Sequence, residues 1–346
     1  MNSYILTEKD RQILRLAVEV YLKIGTTVSS GAIAEKYEFS ISSATVRNIM
    51  SKLENEGYFF QPHTSAGRIP TDKGLRFYVN TLFEEFYFPE KEVDFPTAQF
   101  DIKKGDLNSM LFQVSSLLSD YSDNLGFVLS PRISQLNFKH IRFIKISEEK
   151  IMIIHITTFD LVLTEIAETK SYFTQVELDR ASRYLNENFR GKNLLFIRDF
   201  LTKELPKYRV QYENSVRKLT SLLKAYIFQE ENRNQLFIQG TAKLLDKPEL
   251  FEMENLKALF QNFEEKAKLS KLLSDFISLD RVKVIIGSEM NVPDISECSL
   301  ILSHYGYNRQ ILGSLGIIGP KRISYKHIIP IVDSIAKKLS ETISIS

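Results

Sequence analysis

The chain holds a single cysteine, Cys298, in 346 residues. An intrachain disulfide is excluded, and one copy cannot assemble a cysteine cage around a metal. Cys298 lies in the apolar run SECSLILSHY, where a small buried hydrophobe is expected rather than a nucleophile. No apolar run approaches the ~20 residues that a helix needs to cross a bilayer. The opening MNSYILTEKDRQ lacks the charged-then-apolar order of a signal peptide, so a cytoplasmic protein with no membrane partner is expected.

Charge of one sign is also scarce. A net charge of +2 names no partner, and a nucleic-acid binder so nearly neutral must gather its basic groups on one face. The five histidines, His63, His140, His155, His304 and His327, are scattered with no HExxH pair; His155 and His304 sit in apolar runs and read as core or half-buried. Gly306, Gly313, Gly316 and Gly319 precede Lys321 and Arg322, but their spacing fits neither GxGxxG nor GxxxxGK[ST], so turns between core strands are expected there. No catalytic cluster, cofactor site or metal site is expected.

What the chain does contain begins with three helices. Residues 7–24 place Ile13, Leu14, Leu16, Ala17, Val20, Tyr21 and Ile24 at helical spacing between Thr7, a plausible cap, and Gly25. A short extended piece, the helix SGAIAEKY, the turn EFSIS and the helix SATVRNIMSKLENEG follow, the pattern of a helix-turn-helix. In the third helix Val46, Ile49, Met50 and Leu53 form one apolar stripe, leaving Ser43, Ala44, Arg47, Asn48 and Ser51 outward. That face is small and polar, with one arginine, and can approach base edges closely. Next come YFFQ, strand-like, and PHTSAGRIPT, a loop held between Pro62 and Pro70. It concentrates hydrogen-bond donors suited to a phosphate backbone or minor groove. Strand and loop together make a winged helix. Ten Lys or Arg against eight Asp or Glu in residues 1–80 leave this unit almost neutral, which implies that binding relies on a dimer.

Residues 84–106 carry seven acidic and three basic residues with Pro89 and Pro96 and read as a linker. A helix at 107–125 and strand-like runs at GFVLS, FKHIRFIKIS, KIMIIHITT and LVLTEIAE follow; 173–278 reads almost wholly helical, and strands return at RVKVIIG, SLILSHY and LGSLGIIG before a closing helix. One α+β domain interrupted by a mainly helical insert is the expected architecture. Apolar stripes in the insert, at Val216, Leu219, Leu222, Leu223, Tyr226 and Ile227 and at Leu256, Leu259, Phe260 and Phe263, close its own core or form a self-association surface.

These segments closely resemble the bacterial heat-inducible transcription repressors of the HrcA family. The likeness rests on SSATVRNIMSKLENEGYFFQPHTSAGRIPTDKGLRFYV at 42–79, GTAKLLDKPEL at 240–250, CSLILSHYG at 298–306 and GSLGIIGPKRISY at 313–325. It runs over nearly the full length, and the PHTSAGRIPT wing is its most specific part. Two positions depart from the pattern: many members carry Thr where Lys321 stands and an acidic residue where Ile49 stands.

The resemblance implies a winged-helix DNA-binding domain at 1–83, the linker at 84–106, a GAF-like domain in two parts at 107–172 and 279–346, and a dimerisation insert at 173–278. It implies a homodimer on an inverted-repeat operator in double-stranded DNA upstream of chaperone operons of the dnaK and groE type, with activity lost on heat shock and supported by the GroE chaperonin. The expected DNA-contacting residues are Ser42, Ser43, Thr45, Arg47, Asn48 and Lys52 from the third helix and His63, Thr64, Ser65, Arg68, Thr71 and Lys73 from the wing. Arg47, Asn48 and Ser43 are the candidates for base contacts; the wing residues are expected at phosphates. The alternative is a metabolite-sensing winged-helix repressor with a ligand pocket in the GAF-like domain.

Overall fold

Three of the N-terminal helices form where apolar spacing places them. The computed structural model describes residues 5–36, 41–63, 66–85, 107–131, 134, 136–158, 162–169, 171–204, 210–232, 236–245, 282–291, 295–307 and 310–344; the expected acidic linker from residue 86 onward and the stripe at 256–263 fall outside them. Helix α1 (Glu8–Ile24) starts at a capping box in which the Thr7 side chain accepts from the Asp10 amide while the Asp10 carboxylate accepts from the Thr7 amide at 2.9 Å. It stops at Gly25, whose φ of 76° is left-handed. Helices α2 (Ser30–Lys36) and α3 (Ser43–Asn55) pack on it through Ile33, Val46, Met50 and Leu53, all fully buried. Strands β1 (Phe59–Phe60) and β2 (Ile69–Pro70) pair antiparallel, and α4 (Asp72–Glu85) closes the unit.

Helix α5 (Leu107–Ser122) leads into β3 (Leu125–Leu129). Then come β4 (Phe138–Lys145), β5 (Lys150–Thr157), β6 (Val162–Glu168), α6 (Gln175–Asn188), α7 (Leu194–Glu204), α8 (Val210–Asn232), β7 (Leu236–Gln239) and α9 (Thr241–Leu245). The chain closes with β8 (Val282–Ile286), β9 (Cys298–Tyr307), β10 (Gln310–Pro320) and α10 (Tyr325–Ser344). Five strands form one antiparallel sheet in the order β7-β3-β10-β9-β8. Helices α5 and α10 cover one face of it, and their core residues, such as Leu111, Val114, Ile328 and Ile335, join those of the N-terminal helices in one apolar cluster. The Gly306–Gly319 region belongs to β9 and β10 themselves. The glycines thus lie inside paired strands rather than in the turns expected from their spacing, and among the described residues they form no phosphate-binding loop. Cys298 is buried at the start of β9, where burial pushes its thiol up to about 12, far from a reactive thiolate at neutral pH.

The structure corrects one boundary. Strands β4, β5 and β6, placed by pattern in the first part of the two-part domain, form a separate three-stranded sheet. Their inward residues Phe138, Ile141, Phe143, Ile151 and Ile153 share a core with Leu178, Leu185, Leu194, Ile197, Leu219, Leu222, Leu223, Tyr226 and Ile227 of α6, α7 and α8. The packed insert therefore begins near residue 137 rather than 173. Conversely β7, inside the expected insert, pairs with β3 in the five-stranded sheet. The stripe on α8 closes the insert's own core, one of the two uses its spacing allowed.

Helix α6 also deals with the open edge of β4. Asn186 Oδ1 accepts from the Ile141 amide at 2.8 Å, Ser182 Oγ from Phe143 at 3.0 Å and Gln175 Oε1 from Lys145 at 2.8 Å. Asn186 and Gln175 return donors to the Ile141 and Phe143 carbonyls. Side chains one to two turns apart on one helix face thus replace a missing neighbour strand and blunt an edge that would otherwise invite pairing.

The winged-helix unit is fastened to the five-stranded sheet. Arg76 of α4 pairs with Glu289 and donates to the Val284 carbonyl at 2.7 Å. The Asp72 carboxylate accepts from the Ser288 amide at 3.0 Å and hydroxyl at 2.9 Å and meets Lys321 at 3.1 Å. Burial alone would raise the Asp72 pKa, but the Ser288 and Lys321 hydrogen bonds outweigh it and hold the carboxyl below its usual value. Lys321 thus bridges Asp72 and Glu297 across the two units.

Candidate nucleic-acid interface

Helix α3 carries the interface because its two faces differ completely. Ser42 caps it: its backbone is extended and its Oγ accepts from the Thr45 amide at 3.2 Å. Val46, Ile49, Met50 and Leu53 are buried. Ile49 therefore faces the core and leaves the outward face unaltered. Ser43, Ala44, Thr45, Arg47, Asn48 and Lys52 are exposed. An open helix face with small residues at its first turn and Arg47, Asn48 and Lys52 behind them can lie close to a major groove. There guanidinium and amide groups match base edges bidentately.

The wing is built against this helix. Beyond the β1–β2 pair, Val28 and Arg68 exchange backbone hydrogen bonds of 2.8 and 2.9 Å, adding a third extended segment. Gly67 permits that approach, since a Cβ there would lie 2.5 Å from the Val28 carbonyl oxygen. At the tip, the Ala66 amide donates to the His63 carbonyl and Gln61 Nε2 to the Ala66 carbonyl, each at 2.8 Å. His63 is exposed beside this turn. Thr64 and Ser65 lie outside the described residues.

Three wing side chains have partners within the chain. Arg68 is not presented to solvent: its Nε donates to Glu54 Oε2 at 2.9 Å and its Nη2 to Ser51 Oγ at 2.8 Å, and its side chain is 11% exposed. It braces the wing to the last turns of α3. Thr71 donates to the Gly57 carbonyl at 2.6 Å and accepts from the Gly74 amide at 3.3 Å, forming the junction into α4. Lys73 donates to the Glu56 carbonyl at 2.7 Å and lies 4.3 Å from the Tyr58 ring centroid. A cation there offsets the negative end of the α3 dipole. Exposed side chains at the expected contact positions are Ser42, Ser43, Thr45, Arg47, Asn48 and Lys52 on α3, with His63 and Lys73 on the wing. Sequence reasoning missed the brace, whose only local sign was Glu54 two turns beyond Arg47 on the same helix.

A second surface stands out on the insert. The outer face of the three-stranded sheet aligns Ile144, Met152 and Ile166 in one row and Ile156 with Val162 in another, with Ile154 between. Val162 and Ile166 are 58% and 41% exposed, and the others are half-buried. His140, Arg142 and Thr164 complete the rows as exposed polar groups. On the opposite face His155 is wholly buried with neither ring nitrogen bonded, and burial lowers its pKa to about 4.

A helix with an open polar face and a pinned two-stranded wing, carried on an α+β unit, defines a winged-helix transcription regulator. Known proteins agree. The model of the HrcA protein C terminal domain matches residues 108–329. The heat-inducible transcription repressor HrcA of Geobacter sulfurreducens is 34% identical over 335 residues, 97% of each chain. That of Syntrophobacter fumaroxidans is 32% identical over 337 residues, again 97% of each. A crystal structure described as that of a hypothetical protein has the same fold, with a TM-score of 0.67 and 25% identity over 99% of both chains. The chain belongs to the HrcA family of heat-inducible transcription repressors. Its relatives are named as repressors, not enzymes, and the five-stranded sheet backed by α5 and α10 is the core of the family's GAF-like fold.

Proposed function

We propose that the chain is a homodimeric repressor of chaperone operons of the dnaK and groE type, acting in the cytoplasm at the nucleoid on an inverted-repeat operator. The observation that carries this reading is the exposed Ser43, Arg47, Asn48 and Lys52 face of α3, whose back is wholly committed to the core. Arg47 and Asn48 read bases, Ser43 permits close approach, and Lys52 with the wing tip around His63, Thr64 and Ser65 holds phosphates. A nearly neutral unit holds DNA weakly as one copy, so two copies must act together. The apolar outer face of β4–β6 supports a dimer, since Ile144, Met152, Ile154, Ile156, Val162 and Ile166 gain by leaving water against a second copy. Heat acts through that association, because the stability of a dimer is tied to protomer concentration. GroE chaperonin sustains the active fraction by returning heat-released chains to the dimer.

The test is a footprint on the chaperone promoters of the protein's own genome at growth and heat-shock temperatures. It is run across a protein dilution series, with and without chaperonin and nucleotide. Protection of an inverted repeat that is lost on heating at low protein first, and regained with chaperonin after cooling, is expected. Constant protection through heating, indifferent to chaperonin, would overturn the heat mechanism. Absence of protection at any temperature would overturn the operator.

A further inference from the structure

We propose that Asp72 and Arg76 of α4, with Glu289 and Lys321 on the sheet unit, are specificity-determining positioning residues: without touching DNA they fix the orientation of α3 and so select the spacing between operator half-sites. The inference rests on the reading of a dimer on an inverted repeat. Its starting point is the turn after β10, which is set before it meets the winged-helix unit. The Lys321 amide donates to the Glu297 carbonyl at 3.0 Å, and the Lys321 carbonyl accepts from the Tyr325 hydroxyl at 2.8 Å. Tyr325 is wholly buried, and its oxygen also lies 2.6 Å from Ser299 Oγ. Lys321 and Arg322 are therefore presented from a fixed backbone. Lys321 meets Asp72 at 3.1 Å, and the Arg322 guanidinium lies against Gly25 at the end of α1, where a Cβ would collide with it. At a second turn, after β8, Arg76 holds both Glu289 oxygens, Oε1 from Nε at 2.7 Å and Oε2 from Nη2. Its Nη2 also donates to the Val284 carbonyl at 2.7 Å. Glu289 is itself held, accepting from the Ile286 amide at 2.9 Å. Gly287, with a φ of 52°, leaves room there for the Asp72 carboxylate.

These contacts do more than keep two units together. Apolar contact resists separation but tolerates sliding, whereas a bidentate guanidinium–carboxylate pair is directional and charged contacts fix register. Asp72 and Arg76 stand one turn apart on α4, and their partners come from two different turns of the sheet unit. Rotation of α4 would have to break both. With the unit seated in this way Ser43, Arg47, Asn48 and Lys52 remain exposed, so the contacts and DNA can be held at once. One base pair of spacer moves the second half-site by about 3.4 Å and rotates it by about a tenth of a turn. A unit held at both turns meets one spacing; a unit free to swivel would accept several.

The test compares the full chain as wild type, Arg76→Gln, Lys321→Met and the two together. Binding is measured to the footprinted operator, to operators with spacers one or two base pairs longer or shorter, and to a duplex holding one half-site. Wild type should prefer the operator's own spacing by about tenfold or more, and in the double variant that preference should fall to roughly two- to threefold. Binding to one half-site, and the dimer seen in sedimentation, should stay unchanged. A second readout uses no DNA: spin labels at Glu35→Cys on α2 and Asn108→Cys on α5, both exposed, with labelled chain diluted in unlabelled chain. Cys298 is buried and stays unlabelled. The distance distribution should be narrow in the otherwise wild-type chain and broad in the double variant. The proposal is overturned if the double variant keeps its full spacing preference or loses affinity equally at every spacing. Tighter operator binding by the variants also overturns it, since the contacts would then be an inhibitory clamp. An equally narrow distance distribution in the double variant overturns the junction alone. Wild-type binding without a spacing preference would instead remove the two-site reading, and this inference with it.

Discussion

Arg68 separates two accounts of the wing, and one pair of substitutions decides between them. If Arg68 held phosphate, Arg68→Ala would lower the salt dependence of operator binding by about one unit in log–log slope. In the structure its guanidinium is instead committed to Glu54 and Ser51 at 2.9 and 2.8 Å, with side-chain exposures of 11% for Arg68 and 29% for Glu54. Hydrogen bonds to charged groups contribute roughly 1.5–3 kcal/mol each. Glu54 keeps contact with water, so solvent screening reduces the expected loss to about 1–2 kcal/mol. Urea unfolding followed by a probe in the winged-helix unit should show that loss for Arg68→Ala. Glu54→Gln should lose about as much, and the double variant little more than either, because both break one interaction. Operator affinity should fall for both singles with the salt slope unchanged. A slope reduced by about one for Arg68→Ala, with Glu54→Gln stable and fully binding, would refute the brace.

Three further outcomes follow from the geometry. His155 titrates near 4 in the folded chain against 6.5 in the open one, so below 6.5 the unfolded state takes up a proton that the folded state refuses. Stability present at neutral pH is therefore lost as pH falls toward 4, by up to about 3 kcal/mol; His155→Gln in equilibrium unfolding should flatten that window. Ile154→Asp places a charge at the centre of the apolar sheet face, and sedimentation should show a shift toward monomer worth about 2 kcal/mol or more of association. Gly67→Ala drives a Cβ to within 2.5 Å of the Val28 carbonyl, so hydrogen exchange at the Val28 and Arg68 amides should rise while α3 stays protected.

The contrast between what was readable and what was not has a physical basis. The apolar period of α3 contains its own answer: with Val46, Ile49, Met50 and Leu53 inward, Arg47 and Asn48 had to face out, and they do. The Thr7 cap and the Gly25 stop are local for the same reason. The fate of Arg68 was not local, because its partners Ser51 and Glu54 lie seventeen and fourteen residues away. The bridge that pins the wing at Arg68 comes from Val28, forty positions earlier. Alternation in FKHIRFIKIS and KIMIIHITT marks two half-buried strands but cannot say which core receives their buried side. That choice rests on the amides of β4 meeting Gln175, Ser182 and Asn186 of α6. The bridge of Lys321 between Asp72 and Glu297 appears only once the winged-helix unit and the sheet are placed together.

The central claim is that two copies of the α3 face read one inverted repeat. It is tested most directly by measuring binding of the full chain to the footprinted operator, to the same half-sites with half a helical turn added between them, and to random DNA, each with and without Arg47→Ala. Two half-sites on one side of the duplex are spaced by about 10 base pairs or a multiple of it, so the lengthened spacer should abolish tight binding. Arg47→Ala should cost about 1–3 kcal/mol on the operator and little on random DNA. Unchanged affinity across the spacer, or an equal loss on operator and random DNA for Arg47→Ala, would contradict the account.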